Sequence, residues 1–184
     1  LVWRGGNKDA DIEKLKSLNL NVYESKIHSV DSLLTDIEGI GKFINAKTNA
    51  KTLIDNLRVQ MSNLASQYKG RTSNAIYYLS PQPLIGLGND EWLNSLLLLC
   101  GLKNMYVSNP SPYPQLQMSD IIRQQPKTII AAINASTDAI KVLWKSHQKV
   151  LSSNIVSANP DALHRFTPRA INEMARVCKS AYSE

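Results

Sequence analysis

Histidine, cysteine and phenylalanine are scarce: three, two and two residues among 184. The histidines His28, His147 and His164 stand far apart, without the spacing that gathers metal ligands. Neither Cys100 nor Cys178 sits beside a histidine poised to activate it, which removes the usual thiol nucleophile. No Gly-x-x-x-x-Gly-Lys-Ser/Thr loop and no Gly-x-Ser-x-Gly elbow occurs. Gly86-Leu87-Gly88 lacks the third glycine of a dinucleotide fingerprint and follows two prolines rather than a strand, so it reads as a turn at the rim of a cleft. No apolar run approaches the ~18 residues of a membrane-spanning helix. The net charge of +6 raises nucleic acid as a partner, but the cations are scattered (Lys14, Lys16, Lys42, Lys47, Lys51, Lys141, Lys145, Lys149) without interleaved aromatics. They read as solvated helix faces, and no nucleic-acid partner is expected.

With 43% apolar residues the chain can bury one good core, or one core and part of a second. It opens on Leu1-Val2-Trp3-Arg4-Gly5-Gly6-Asn7, a short apolar strand running into a turn. A lone strand needs neighbours for its backbone groups, so the chain reads as the rear portion of something longer. A short helix starting at Asp9 or Asp11 and a strand over 21–24 complete a β-α-β fragment. Ser29 is a fair N-cap for the next helix, with Val30, Leu33, Leu34 and Ile37 along one stripe. Leu53, Ile54, Leu57, Met61, Leu64 and Tyr68 then recur at helical spacing up to Gly70. At ~1.5 Å per residue that helix is long enough to act as a stiff spacer between lobes, although a plain core helix shows the same pattern.

Beyond it the pattern predicts strands over 75–79, 105–107, 128–133 and 155–157, alternating with helices over 90–99, 119–124 and 137–150. A last helix is capped by Thr167 with Pro168 at its first position. Such alternation defines an α/β fold with a mostly parallel sheet and helices on both faces. Trp3, the 81–88 loop, the 110–114 loop with Tyr113, and 160–166 all follow strands. Ligands of open α/β sheets bind at those ends, although loops follow strands in any α/β protein. The two cysteines read either as inert thiols or as one disulfide, depending on compartment.

Trp3-Arg4-Gly5-Gly6-Asn7 after a strand resembles the substrate-binding proteins of ABC importers, in the class whose two lobes are joined by one long helix. The resemblance to the cobalamin binders of that class continues in order. It takes in the long helix, the Pro/Gly loop before Trp92, Cys100-Gly101, Pro112-Tyr113-Pro114-Gln115, the 161–165 loop, Thr167-Pro168-Arg169 and Cys178. It implies a remnant N-terminal lobe over 1–46, an interlobe helix over 47–69 and a C-terminal β/α lobe over 70–184. It also implies a Cys100–Cys178 disulfide and a periplasmic location.

The implied function is capture of cobalamin between two lobes and delivery to an ABC-importer membrane permease, by a monomeric carrier without catalysis or cofactor. The ligand residues carried over are Trp3, Tyr113, Asp161, Ala162, Leu163, His164 and Arg165. Two positions depart from the family. Ala162 stands where a large aromatic is usual beside the aspartate, and Ile85 replaces the aromatic of the earlier loop. Haem or a ferric siderophore therefore stays open as ligand, and a cytosolic α/β enzyme domain is the reading outside this class. The family's permease-contacting acid aligns with uncharged Ser119; Asp120 follows it and doubles as an ordinary first-turn carboxylate.

Overall fold

The computed structural model describes residues 1–183, which form two compact units divided after Val59. The boundary falls within the long helix α3 (Lys47–Gln67).

Unit 1 contains β1 (Val2–Trp3), α1 (Asp9–Ser17), β2 (Glu24–Ser25), α2 (Val30–Phe43) and the start of α3. β1 and β2 pair in parallel, Val2 with Glu24 and Trp3 with Ser25. The second strand is shorter and later than the expected 21–24, because its pairing begins only at Glu24, opposite Val2. Ser29 caps α2 as expected, in a reciprocal box with Ser32. Buried Asp36 accepts hydrogen bonds from Ser25 Oγ (2.9 Å) and Tyr23 Oη (3.2 Å), tying β2 to α2. Glu24 accepts from Lys16 Nζ at 2.5 Å and Arg4 Nε at 2.6 Å, joining β2 to α1 and to the segment after β1. The two cations hold its carboxyl down at about 2.

Unit 2 is built on β3 (Ser73–Pro81), whose run Ala75, Ile76, Tyr77 and Tyr78 is closed from solvent on both faces. This is the signature of an interior parallel strand. β6 (Thr128–Ala131) pairs parallel to it on one side, with β7 (Asn154–Ser157) beyond. On the other side lie β5 (Leu102–Asn104), parallel to the first third of β3, and β4 (Leu84–Gly86), antiparallel to its end. Alternate β3 side chains serve two helical layers. Ile76 and Tyr78 meet Ile121 of α5 (Met118–Gln124) and Ile140 and Trp144 of α6 (Thr137–Lys145). Tyr77 points to the opposite layer, that of α4 (Glu91–Leu98), α7 (Pro160–Leu163) and α8 (Arg169–Ala181). The α/β class with a mostly parallel sheet and helices on both faces is therefore observed.

Several boundaries differ from the sequence pattern, among them β6, which ends at Ala131 rather than 133, and β3, which runs from Ser73 to Pro81 rather than over 75–79. β5 precedes the expected 105–107 strand, because Gly101 at φ +72° turns the chain so that Leu102 pairs at once with Ser73. Asn104 then ends the strand, its amide donating to the carbonyls of Leu87 and Gly88. The Pro/Gly loop after β3 contains β4, because the chain folds straight back on Tyr78 and Pro81. α6 stops at Lys145 rather than 150, passing through turns to buried Leu151. Finally, α8 begins at Arg169 with Pro168 as its flanking residue, and Thr167 makes no capping bond. Its Oγ1 is enclosed without a hydrogen-bond partner.

Cys100 and Cys178 form the expected disulfide, linking the end of α4 to α8 across 78 residues. Tyr182 Oη donates to the Cys100 carbonyl at 2.8 Å beside it. In the chain-entropy picture a loop of this length contributes about 4 kcal/mol. Reduction, or the double change Cys100→Ser/Cys178→Ser, should lower the unfolding free energy by roughly that amount in urea titrations. A loss below about 1 kcal/mol would show that the packing of α4 on α8 carries the junction alone.

Candidate ligand-binding wall at the start of α4

In parallel order the sheet runs β5-β3-β6-β7, so the order in which strands are added reverses beside β3, and the carboxyl ends of the strands there are the crevice where α/β sheets bind ligands. Three segments after strands meet there: 84–94, 109–116 and 159–166. Backbone bonds stitch the first two together. Gly86 N donates to the Pro114 carbonyl (2.9 Å), Gly88 N to Pro112 (2.8 Å) and Leu116 N to Leu84 (2.8 Å). Gly88 permits this approach: a Cβ there would lie 2.0 Å from the Ser111 carbonyl oxygen. The proline loop is thus held as an added strand-like edge.

The start of α4 holds both outer loops. Asp90 is its N-cap: Oδ1 accepts from Leu93 N at 2.8 Å, while Oδ2 accepts from Tyr113 Oη at 2.8 Å. Burial, followed by this hydrogen bond to a carboxylate, pushes the Tyr113 hydroxyl up, so it stays protonated. Two residues on, Trp92 is 2% exposed, and its Nε1 donates to the Leu163 carbonyl at 2.6 Å. The Phe166 ring, carried on a residue at φ +45°, packs 5.2 Å from the Trp92 ring.

The 159–166 segment is fixed from within as well. Asn159 Oδ1 accepts from the backbone nitrogens of Asp161 (2.9 Å) and Ala162 (3.3 Å), which starts α7. Asn159 N in turn donates to Glu173 Oε1 of α8 at 2.7 Å. Arg165 Nη2 pairs with Asp161 Oδ1 at 2.7 Å on the surface. His164 Nε2 shares a 2.8 Å hydrogen bond with the buried Tyr77 hydroxyl. Burial lowers the His164 pKa, partly opposed by the charges of Asp90 and Asp161, and burial also pushes Tyr77 well up. Both are neutral at pH 7. A polar hollow adjoins Asp161 at the ends of β6 and β7, lined by Asn134, Ser136, Asn159 and Glu173 among others.

Among the residues expected at a ligand, Tyr113 (46% exposed), Asp161, Ala162, His164 and Arg165 all belong to these loops of unit 2. Leu163 differs: its side chain is 0% exposed and its carbonyl is taken by Trp92, so it anchors the loop and offers no surface. Trp3, 44% exposed, lies in unit 1. Its ring covers the glycine pair so closely that a Cβ on Gly6 would come within 2.1 Å of it, while Asn7 Oδ1 accepts from the Trp3 nitrogen at 2.7 Å. Ser119 is exposed on α5, and Asp120 there accepts from Arg123 Nη2 at 2.8 Å. Asp90 and Tyr77 were missed as site residues. Asp90 carried a signal, an acid ahead of an apolar helix, whereas Tyr77 looked like any strand residue. Among the described residues no cluster of three or more His, Cys, Asp or Glu could hold a metal, and no helix is long and apolar enough to cross a membrane.

No protein-family model matches the chain. In fold, the structure resembles solved periplasmic binding proteins. The periplasmic vitamin B12 binding protein BtuF of Vibrio cholerae superposes with a TM-score of 0.82 at 26% identity, covering 98% of this chain and 72% of that one. The periplasmic heme binding protein HutB of the same organism gives 0.82 at 19% identity, with 100% and 76% covered, a likeness of fold alone. Within the class, sequence singles out the vitamin B12-binding proteins as relatives. That of Vibrio parahaemolyticus is 26% identical over 182 residues, 97% of this chain and 66% of its own length. That of Vibrio cholerae is 27% identical over 184 residues, again 97% and 66%. The chain therefore spans about 66% of the length of these curated relatives. The resemblance read from the Trp3 motif and the order of the later ones is borne out.

His164 sets a pH dependence. Its folded pKa lies below the ordinary 6.5, so the unfolded chain binds the proton more readily. Its contribution to stability is complete above pH 6.5 and declines as pH falls from there through the lower folded value. Chemical unfolding at stepped pH should show this decline in the natural chain and a flatter curve in His164→Gln. Equal slopes for the two would contradict the burial of this imidazole.

Proposed function

We propose that the chain is the greater part of a periplasmic substrate-binding protein that captures cobalamin and delivers it to an ABC-importer membrane permease. It acts by binding alone, with cobalamin as transported ligand rather than cofactor. In this reading 1–46 is the remnant of an N-terminal lobe, 47–69 the interlobe helix and 70–184 the C-terminal lobe. The carrying observation is the preformed wall at the carboxyl ends of the sheet, which presents Tyr113, His164 and the Asp161–Arg165 pair from loops already bonded to α4. A wall ordered before the ligand arrives spares the entropy of ordering loops on binding. Support comes also from relatives named for vitamin B12 along 97% of the chain.

Within that wall the half-exposed Tyr113 ring offers an apolar face to a flat macrocycle; Trp3, the other aromatic read as a ligand contact, belongs to unit 1. Asp161, His164 and Arg165 offer polar contacts to peripheral groups, and Ala162 leaves room beside them. Leu163 supports the loop from inside. Ser119 and Asp120 mark the permease-facing edge, with Asp120 supplying the carboxylate, and the carrier acts as a monomer.

Isothermal titration with cyanocobalamin is the test. Saturable heat should appear, and Tyr113→Ala should weaken binding by about tenfold through loss of a ring face. Saturation by haem or by a ferric siderophore, with none by cyanocobalamin, would transfer the assignment to the other ligands carried by proteins of this fold.

A further inference from the structure

The hydrogen-bond polarity of the Tyr113 hydroxyl is fixed. Its proton goes to Asp90 Oδ2 at 2.8 Å, and a carboxylate oxygen there accepts only. Burial and that bond both keep the proton on the phenol. The oxygen therefore has only lone pairs left to offer a ligand. The neighbouring charges point the same way. Asp90 lies directly behind the Tyr113 hydroxyl, while the cation Arg165 of the adjoining loop is already paired with Asp161 at 2.7 Å.

We infer that Asp90 is a positioning residue that, through Tyr113, selects a ligand whose rim donates hydrogen bonds and rejects one whose rim is anionic. The inference rests on the cobalamin reading above and deepens it. The corrin of cobalamin carries primary amides, whose N–H groups can donate to the Tyr113 oxygen. Haem carries propionates, which only accept; at this wall they face the Tyr113 lone pair with the Asp90 carboxylate behind it. A buried polar group left facing a like group costs far more than a missing contact does. The selection thus lies in a helix cap, a residue that needs no direct contact with the ligand.

Asp90→Asn is the informative change, because asparagine is as good an N-cap as aspartate and the bond from Leu93 N survives. Its amide nitrogen then donates to the Tyr113 oxygen, releasing the hydroxyl proton outward and removing the charge. Affinities for cyanocobalamin and haemin, measured in parallel on the whole chain, should move in opposite directions. Cobalamin binding should weaken about fivefold and haem binding should strengthen, changing their ratio by roughly tenfold or more. Tyr113→Phe, which leaves the cap untouched, should weaken cobalamin by a similar factor without helping haem. Thermal midpoints of both variants should stay within a few degrees of the natural chain. A natural chain that takes no cobalamin overturns the ligand reading and this inference with it. Cobalamin binding in the natural chain with an unchanged ratio in Asp90→Asn overturns the role of Asp90 alone.

Discussion

The two loops of the candidate wall are tied together at the start of α4, from its cap at Asp90 to Trp92. Asp90 divides its carboxylate between the helix's own unsatisfied N–H and the Tyr113 hydroxyl, and Trp92 gives its indole proton to the Leu163 carbonyl at 2.6 Å. The loops carrying Tyr113 and His164 come from segments some fifty residues apart in sequence, yet neither is held chiefly by its own residues. Burial makes the arrangement stiff. An indole N–H that is 2% exposed has no water to turn to if the Leu163 carbonyl moves away, so the loop is held by the cost of leaving that donor unmet. At the far end of α4 the Cys100–Cys178 bond fixes the same helix to α8, which also holds Asn159 through Glu173. The helix is thereby located at both ends against the elements that carry the wall.

The chemistry offered is that of recognition. His164 is neutral and shares its Nε2 with a buried tyrosine, Asp161 and Arg165 neutralise each other, and Tyr113 is committed to Asp90. None of these groups is an unpaired acid, base or nucleophile of the kind a reaction needs. These loops present fixed dipoles and one half-exposed ring, that of Tyr113.

Much of this was legible in the sequence, for identifiable reasons. The helical repeat from Leu53 to Tyr68, the Ser29 cap and the alternating strands and helices of unit 2 are local patterns, and local patterns survive folding. The errors arose where pairing overrode pattern. Residues 105–107 are as strand-like as 102–104, and only the Gly101 turn and the partner on β3 decide between them. β4 hides in a proline-rich stretch because its strand is defined by the neighbour it folds back on. At the candidate wall, exposed loop residues could be proposed by motif from the resemblance, but the residues that orient them could not. Tyr77, Asp90 and the carbonyl of Leu163 act through contacts 23 to 87 residues apart in sequence, which no local motif records. Thr167 shows the converse: a sequence suited to capping a helix, with its hydroxyl left enclosed and unused.

The central claim is that one helix start holds two loops as a single preformed wall. Amide hydrogen exchange on the chain, with and without cyanocobalamin, tests it most directly. The amides of Tyr113 and Leu116 and those of 162–164 should already be protected in the free protein and should slow further together on adding ligand. Fast exchange in both loops of the free protein, or protection gained by one loop without the other, would contradict it.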